Sequence, residues 1–441
     1  MKILPARRLE GQMELPGDKS ISHRAAIIAA LARGRPRISN FSTSADCAST
    51  LACLAQLGVR FKREANTIII EGVGTESTML LQAPPSALDC GNSGTTMRLL
   101  AGVLAGQPFA STLTGDESLR ARPMRRIIEP LQLMGARISS EQDRAPLQIE
   151  GRPPLEPVSY ALPLPSAQVK SCILLAGLNA SGRTEVIESH AQTRDHTERM
   201  LRWFGINVKV ETNKQDRTRI TIEGGKPPLA RDFSVPGDLS SAAFLIAAAA
   251  LLPRSHLILQ NVGVNPTRTQ FLQTMRELGA DIRVRNVRDV CNESVGDIEV
   301  RGTGALANSK KQTKFILRGT RVAGLIDELP MLAVIGTQVE GGLEVRDAGE
   351  LRVKESDRIR ATIENLRRMN AEVEEYDDGF AVGGRTVLRG ALLDAKGDHR
   401  IAMAFTIAAL IAEGESMIEG AEAVSVSFPE FFALLESITE R

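Results

Sequence analysis

A pattern that recurs six times constrains this 441-residue chain more than any other feature. Each copy has a strand end, a polar or Gly-containing turn, an apolar helix, a break and a second strand. The copies begin at Leu15 (LPGDKSISHRAAIIAALA), Leu88 (LDCGNSGTTMRLLAGVLAG), Leu162 (LPLPSAQVKSCILLAGLNASG), Val235 (VPGDLSSAAFLIAAAALLPRS), Leu325 (LIDELPMLAVIGTQVEGG) and Ala395 (AKGDHRIAMAFTIAALIAEG). Between them lies a second pattern, an amphipathic helix ending near Gly or Asn and then two strands, as in HTERMLRWFGINVKVE…ITIEGG. Helical spacing of apolar residues supports the first part and alternation supports the second. Each unit is therefore a β-α-β-α-β-β module, and most copies recur at roughly 70 residues, a period that marks a repeat architecture.

The length exceeds what one ordinary core holds, which predicts two domains. The sixth module ends at SFPEFFALLESITER without its strand pair, and the N-terminal segment KILPARRLEGQMELPG has the character of the missing piece. Three modules per domain follow. One domain combines 1–18 with 236–441, and 19–235 is inserted into it. The chain is expected to cross between them near Gly17 and Gly237, both within PGD turns whose small residues suit a hinge.

Each turn before an apolar helix can act as an anion site, because the first helical N–H groups are unpaired and the helix dipole is positive there. In the first copy Asp18 and Ser20 are capping residues, and Lys19, His23 and Arg24 add positive charge. Gly94 permits close backbone approach beside Arg98, and SLRARPMRR supplies Arg120, Arg122, Arg125 and Arg126. PSAQVK offers Ser166, Gln168 and Lys170, and TRDHTE offers Arg194, His196 and Glu198. Asn265 and Arg268 lie in NPTR, Asp327 and Glu328 interrupt an apolar turn, ELRVKESDRIR carries Lys354, Glu355, Asp357 and Arg358, and GDHR carries Asp398, His399 and Arg400. One such loop is an ordinary solvated turn. Recurring loops on pseudo-symmetric modules point instead to a cleft between the domains for a substrate with several negative charges. Asp327 and Glu355 sit among these cations as candidates for proton transfer.

Charge and composition exclude several classes. Net charge is +1, from 54 basic and 53 acidic side chains, and aromatics are only 4% of residues. Neither a nucleic-acid footprint nor a stacking platform follows from such numbers. The five cysteines, Cys47, Cys53, Cys90, Cys172 and Cys291, show no zinc spacing and read as reduced, mostly buried thiols. The N-terminus lacks a signal-length apolar run, and Ala242–Leu252 is too short to span a bilayer. A cytoplasmic chain is expected. No Walker loop, dinucleotide fingerprint or Ser-His-Asp order is present.

The motifs LPGDKSISHR, GNSGTTMR, LRARP, SAQVK, RVKESDR and DHRIAM, in this order, strongly resemble those of the 5-enolpyruvylshikimate-3-phosphate (EPSP) synthase family over nearly the whole chain. The resemblance implies an α/β (α+β) fold, a two-domain inverse α/β barrel with three β-α-β-α-β-β units per domain in pseudo-threefold symmetry. It implies transfer of the enolpyruvyl group of phosphoenolpyruvate to the 5-hydroxyl of shikimate 3-phosphate by addition and elimination, with release of phosphate, on the route to chorismate and aromatic amino acids. Carried over by motif, Lys19, Ser20, Arg24, Ser166, Ala167, Gln168, Arg194, Asp327 and Lys354 hold shikimate 3-phosphate. Lys19, Gly94, Arg122, Gln168, Arg358 and Arg400 hold phosphoenolpyruvate. Asp327 accepts the hydroxyl proton, and Glu355 or Lys19 handles the proton at the methylene carbon. No metal and no organic cofactor are implied, and the partners expected are these two small molecules, bound by a monomer that takes neither nucleic acid nor membrane.

PGDKS, SAQVK, RDHTE and NPTR together resemble the bacterial subgroup regarded as glyphosate-tolerant. One departure stands out: where many members carry a lysine before the segment matching SFPEF, this chain has Glu422. Two other families share part of this pattern. The UDP-N-acetylglucosamine enolpyruvyl transferases have a reactive cysteine before their ARP sequence, and Glu117 stands there in GDESLRARP. RNA 3′-terminal phosphate cyclases share the module repeat, but near-zero net charge and few aromatics oppose a nucleic-acid substrate.

Overall fold

The computed structural model describes residues 1–189, 192–213, 217–304, 306 and 314–441. Its chain divides into two compact units. One comprises Met1–Pro16, Pro236–Arg288 and Ser294–Arg441, and the other comprises Gly17–Val235 and Asp289–Glu293. The chain therefore passes from one unit to the other at Pro16–Gly17, Val235–Pro236, Arg288–Asp289 and Glu293–Ser294, twice more than its sequence announces. The extra piece is the tip of the hairpin made by Asp281–Val290 and Glu293–Arg301.

Three helices form the centre of each unit. In the inserted unit they are α1 (Lys19–Leu31), α2 (Gly94–Ala105) and α3 (Ala167–Gly177). In the terminal unit they are α4 (Leu239–Leu251), α5 (Leu329–Gly336) and α6 (His399–Leu410). Every residue of α4, α5 and α6 is buried. A helix such as LSSAAFLIAAAAL has no polar face, so it is stable only inside a core. Small residues let these helices cross closely. A Cβ on Gly102 of α2 would lie 2.2 Å from the Cys172 carbonyl oxygen on α3, so any side chain there would force the pair apart.

Sheets cover the helices. Within each module the leading strand and the strand after the central helix run parallel, as Ser159–Leu162 and Arg183–Glu188 do. A helix between two strands permits that arrangement, whereas a tight turn does not. The last two strands then add as an antiparallel hairpin, here Val208–Thr212 and Thr218–Glu223. Arg144–Glu150 alternates exposed and buried residues along its length, with Ala145, Leu147 and Ile149 facing the core. That period of two is the pattern of a sheet wet on one face. Each unit encloses its own apolar cluster.

The N-terminal segment does not act as one piece. Strand β1 (Lys2–Ile3) pairs antiparallel with Ser416–Glu419 in the sixth module. Strand β2 (Arg8–Glu14) runs parallel to His256–Gly263 and leads the fourth module's sheet, with Thr439–Glu440 on its other edge. The expectation that both strands complete the last module is corrected to β1 alone. Pro5 lies between them and cannot donate to a ladder, so the chain breaks there and changes sheet. The inserted unit closes in the same manner: Phe233–Ser234, from its far end, pairs parallel with Arg37–Ser39 after α1.

Candidate active site

In the inserted unit the sequence-flagged residues gather at helix N-termini. Asp18 caps α1 by accepting from the Ile21 N–H at 2.9 Å. Lys19, the first residue of the helix, pairs with Asp46 at 2.8 Å, so its ammonium is held in place rather than waving in solvent. Arg24 lies one turn further in and is buried, and each of its three guanidinium nitrogens donates to the protein. Its Nε donates to Thr197 Oγ1 at 2.8 Å, Nη1 to the Ser20 carbonyl at 2.8 Å and Nη2 to Ser171 Oγ at 2.9 Å. Ser93 and Ser166 cap α2 and α3.

The first turns of α2 and α3 are stitched together. Arg98 Nη1 donates to Gln168 Oε1 at 2.6 Å, and Gln168 Nε2 donates to Thr95 Oγ1 at 2.9 Å. Arg122 donates to Asn92 Oδ1 at 2.9 Å and to Ser118 Oγ at 3.3 Å. Gly94 begins α2 between two guanidinium groups. A Cβ there would sit 2.7 Å from Arg98 Nη1 and 3.4 Å from Arg122 Nη1. Glycine thus keeps the backbone bare where dipole and cations coincide, the arrangement that suits an anion.

Two flagged loop residues have another place. Lys170 is no surface cation: its side chain is fully buried and pairs with Glu198 at 2.7 Å and Glu188 at 3.3 Å. Burial opposes the ammonium charge, but the two carboxylates outweigh it and raise the Lys170 pKa. His196 is also buried, with Nδ1 2.8 Å from Glu293 Oε1. Glu293 lies 97 residues away, on the hairpin tip that joins this unit, and no sequence signal links the two. Asp46, Glu188 and Ser171 were equally invisible, being ordinary residues of a helix turn, a strand end and a helix interior.

His23 sits on the buried side of α1, its Nδ1 2.6 Å from Thr50 Oγ1. Burial, then repulsion by Lys19 and Arg24, lowers its pKa well below the ordinary histidine value. The unfolded chain therefore binds a proton before the folded one does, and stability falls as pH drops below about 6.5, by up to about 1.4 kcal/mol per pH unit. The melting temperature should fall between pH 7.5 and 5.5, and His23→Gln should reduce that fall. An equal fall in the variant would assign the acid sensitivity elsewhere.

In the terminal unit the carboxylates and cations converge on one buried arginine. Arg358 begins the helix Arg358–Arg368 and is 2% exposed. Its Nε donates to Asp398 Oδ2 at 2.8 Å and its Nη2 to Glu355 Oε2 at 2.6 Å, while Nη1 lies 3.7 Å from Asp327 Oδ1. Burial opposes this guanidinium's charge, but Asp398 and Glu355, with Asp327 behind them, outweigh it and fix the cation. Asp398, fully buried, also caps α6 by accepting from the Arg400 N–H at 2.8 Å. Arg400 Nη1 donates to the Ser240 carbonyl at 3.4 Å and stands 3.9 Å from Glu328 Oε1. Ser240 Oγ donates to Glu328 at 2.6 Å and accepts from Arg268 at 2.7 Å. Lys354 pairs with Glu350 at 2.6 Å. Glu422 is exposed in the first turn of the 3₁₀ segment Ala421–Val426.

The structure therefore joins Asp327, Glu355, Arg358 and, through Asp398, Arg400 within one unit. It joins Gly94, Arg122 and Gln168 within the other, together with Lys19, Ser20 and Arg24 on α1. Arg194 is half-buried just before the helix His196–Trp203, and Ser166 and Ala167 open α3. Burial pushes the Cys47 and Cys172 thiols up to about 12 and raises Cys291; none of these three is poised as a thiolate nucleophile. Among the described residues, no group of three or more His, Cys, Asp or Glu is placed to hold a metal ion, and no helix is long and apolar enough to cross a membrane.

Comparison with known proteins gives the family. A family profile described as EPSP synthase (3-phosphoshikimate 1-carboxyvinyltransferase) matches residues 3–435. The chain is 46% identical over 440 residues to the 3-phosphoshikimate 1-carboxyvinyltransferase of Solibacter usitatus, covering 100% of this chain and 99% of that one. It is 47% identical over 442 residues to that of Koribacter versatilis, covering 100% and 99%. The EPSP synthase structure from Acinetobacter baumannii superposes with a TM-score of 0.85 at 40% identity, covering 99% of this chain and 98% of that one. With the repeat, the capped cationic turns and these matches in agreement, the chain belongs to the EPSP synthase (3-phosphoshikimate 1-carboxyvinyltransferase) family.

Proposed function

We propose that this chain is a transferase that moves the 1-carboxyvinyl group of phosphoenolpyruvate onto the 5-hydroxyl of shikimate 3-phosphate, releasing phosphate, in the shikimate pathway to aromatic amino acids. The observation that carries the reading is the set of two partly exposed carboxylates, Asp327 and Glu355, held against one buried cation, Arg358. Such a set can serve proton transfer and anion binding at one place.

In this reading Lys19, Ser20, Arg24, Ser166, Ala167, Gln168, Arg194, Asp327 and Lys354 hold shikimate 3-phosphate. Lys19, Gly94, Arg122, Gln168, Arg358 and Arg400 hold phosphoenolpyruvate. Asp327 takes the hydroxyl proton as the oxygen attacks C2 of phosphoenolpyruvate, and Glu355 or Lys19 delivers a proton to C3. Elimination reverses the second transfer: C3 returns its proton as the C2–O bond to phosphate breaks. The arginines stabilise the phosphate and carboxylate charge throughout, their planar forks matching both groups. Residues of both units serve the one reaction, with 1–18 plus 236–441 and 19–235 as its two domains. The protein works as a cytoplasmic monomer, without nucleic acid.

Phosphate release tests the reading. It should require phosphoenolpyruvate together with shikimate 3-phosphate, and the rate should be unchanged by EDTA, because the fixed cations already supply the charge stabilisation a metal gives. Release with UDP-N-acetylglucosamine and not with shikimate 3-phosphate would instead support the related transferase. Loss of turnover in EDTA that zinc or magnesium restores would overturn the metal-free account.

A further inference from the structure

Lys170, Glu188 and Glu198 form a buried charged trio that the reaction itself does not use. Their side chains are 0%, 1% and 3% exposed, deep in the inserted unit. Burying such a trio costs desolvation that is offset only where the geometry is good and further hydrogen bonds satisfy the remaining polar atoms. Its hydrogen bonds converge on Thr193. Glu188 Oε1 accepts from the Thr193 N–H at 3.0 Å and from its Oγ1 at 2.5 Å, and Lys170 Nζ donates to the Thr193 carbonyl at 3.4 Å. All three polar groups of Thr193 are thus fixed by one ion pair, and the next residue is Arg194.

The helix that follows is fixed from the same side. Glu198, in its first turn, takes the Lys170 ammonium, and Thr197 is bonded to Arg24 and Ser171. Lys170 and Ser171 belong to α3, whose first turn carries Ala167 and Gln168. One helix therefore presents its own N-terminal residues and, through Lys170, sets the backbone that carries Arg194.

We propose that Lys170 and Glu188 are positioning residues for shikimate 3-phosphate recognition, holding Thr193 so that Arg194 is aimed before substrate arrives. The inference rests on the functional reading above, in which Arg194 binds that substrate. Preorganisation of this kind acts on binding, since the ordering cost is met during folding. It leaves the proton-transfer groups of the terminal unit untouched.

The test uses Thr193→Val, Thr193→Ser and Glu188→Gln in the full chain, with KM for each substrate, kcat and calorimetric affinity for shikimate 3-phosphate. Thr193→Val removes one hydroxyl at constant shape, so it should fold even if Glu188→Gln does not. The loss of a hydrogen bond to a charged partner should raise KM and Kd for shikimate 3-phosphate about tenfold. KM for phosphoenolpyruvate and kcat should stay within about twofold, and Thr193→Ser should restore the original values, since it restores the hydroxyl. Unchanged affinity for shikimate 3-phosphate in Thr193→Val, or an equal rise in both KM values, would overturn the inference. Absence of turnover by the unsubstituted chain would overturn the parent reading, and this one with it. Normal turnover with unmoved affinity defeats this one alone.

Discussion

Replacing Asp327 by asparagine should lower kcat by about 10²–10⁴, the range expected when a general base is lost. Shape and hydrogen-bonding capacity are kept, but the amide cannot take up a proton at working pH. The side chain is 20% exposed, in the turn before α5, and its Oδ1 lies 3.7 Å from Arg358 Nη1. An asparagine of equal shape in a partly exposed turn should leave the fold intact. Affinity for shikimate 3-phosphate, read by calorimetry, should change by only a few-fold, so the loss appears in the chemical step. A purified variant that keeps more than about a tenth of the original kcat would show that another group accepts the proton, since even the lower bound for such a base is about 10².

Substitution of Arg358 should damage both stability and phosphoenolpyruvate binding, and two variants separate the effects. Arg358→Met removes the only cation close to the fully buried Asp398 among the ion pairs described. A buried charge stripped of its partner costs about 3–5 kcal/mol, which corresponds to a fall in melting temperature on the order of 10 °C for a unit of this size. Arg358→Lys keeps the charge and loses the fork. Its single ammonium cannot reach Asp398, Glu355 and a ligand at once, so KM for phosphoenolpyruvate should rise more than KM for shikimate 3-phosphate. If Arg358→Lys raises both KM values equally while Arg358→Met melts early, the residue is structural only.

The fold was legible because its signal is repeated. One strand–turn–helix copy is ambiguous, but copies that agree in turn chemistry, helix length and strand pairing reinforce one another, and the apolar faces of α4 to α6 admit no surface position. Of the two capping residues read in the first copy, Asp18 accepts from the first turn of α1 while Ser20 lies inside that helix; Ser93, Ser166, Asp238 and Asp398 cap the corresponding helices of other modules. Partner choice was not legible. Nothing local in the sequence says that Lys19 pairs with Asp46, that Arg358 turns onto Asp398, or that Glu293 reaches His196. Those pairs are set by how modules pack, across separations that periodicity does not encode. Lys170 shows the hazard most clearly. A lysine four residues beyond a capping serine looks like part of a cationic turn, yet position on α3 turns it inward, where two carboxylates make its burial possible. The divided N-terminus carries a similar lesson, for Pro5 marks a break without saying which sheet takes each side.

The most direct test of the account follows the carbon that moves. Phosphoenolpyruvate labelled with ¹³C at C2 and C3 is incubated with the protein and shikimate 3-phosphate, and the products are read by ¹³C and ³¹P NMR. The account predicts that both labels appear together in a vinyl ether on the 5-oxygen of shikimate 3-phosphate, matched by an equal amount of inorganic phosphate, and that the product does not form with Asp327→Asn on the same timescale. Label recovered as pyruvate, or left in phosphoenolpyruvate while shikimate 3-phosphate is present, would contradict it.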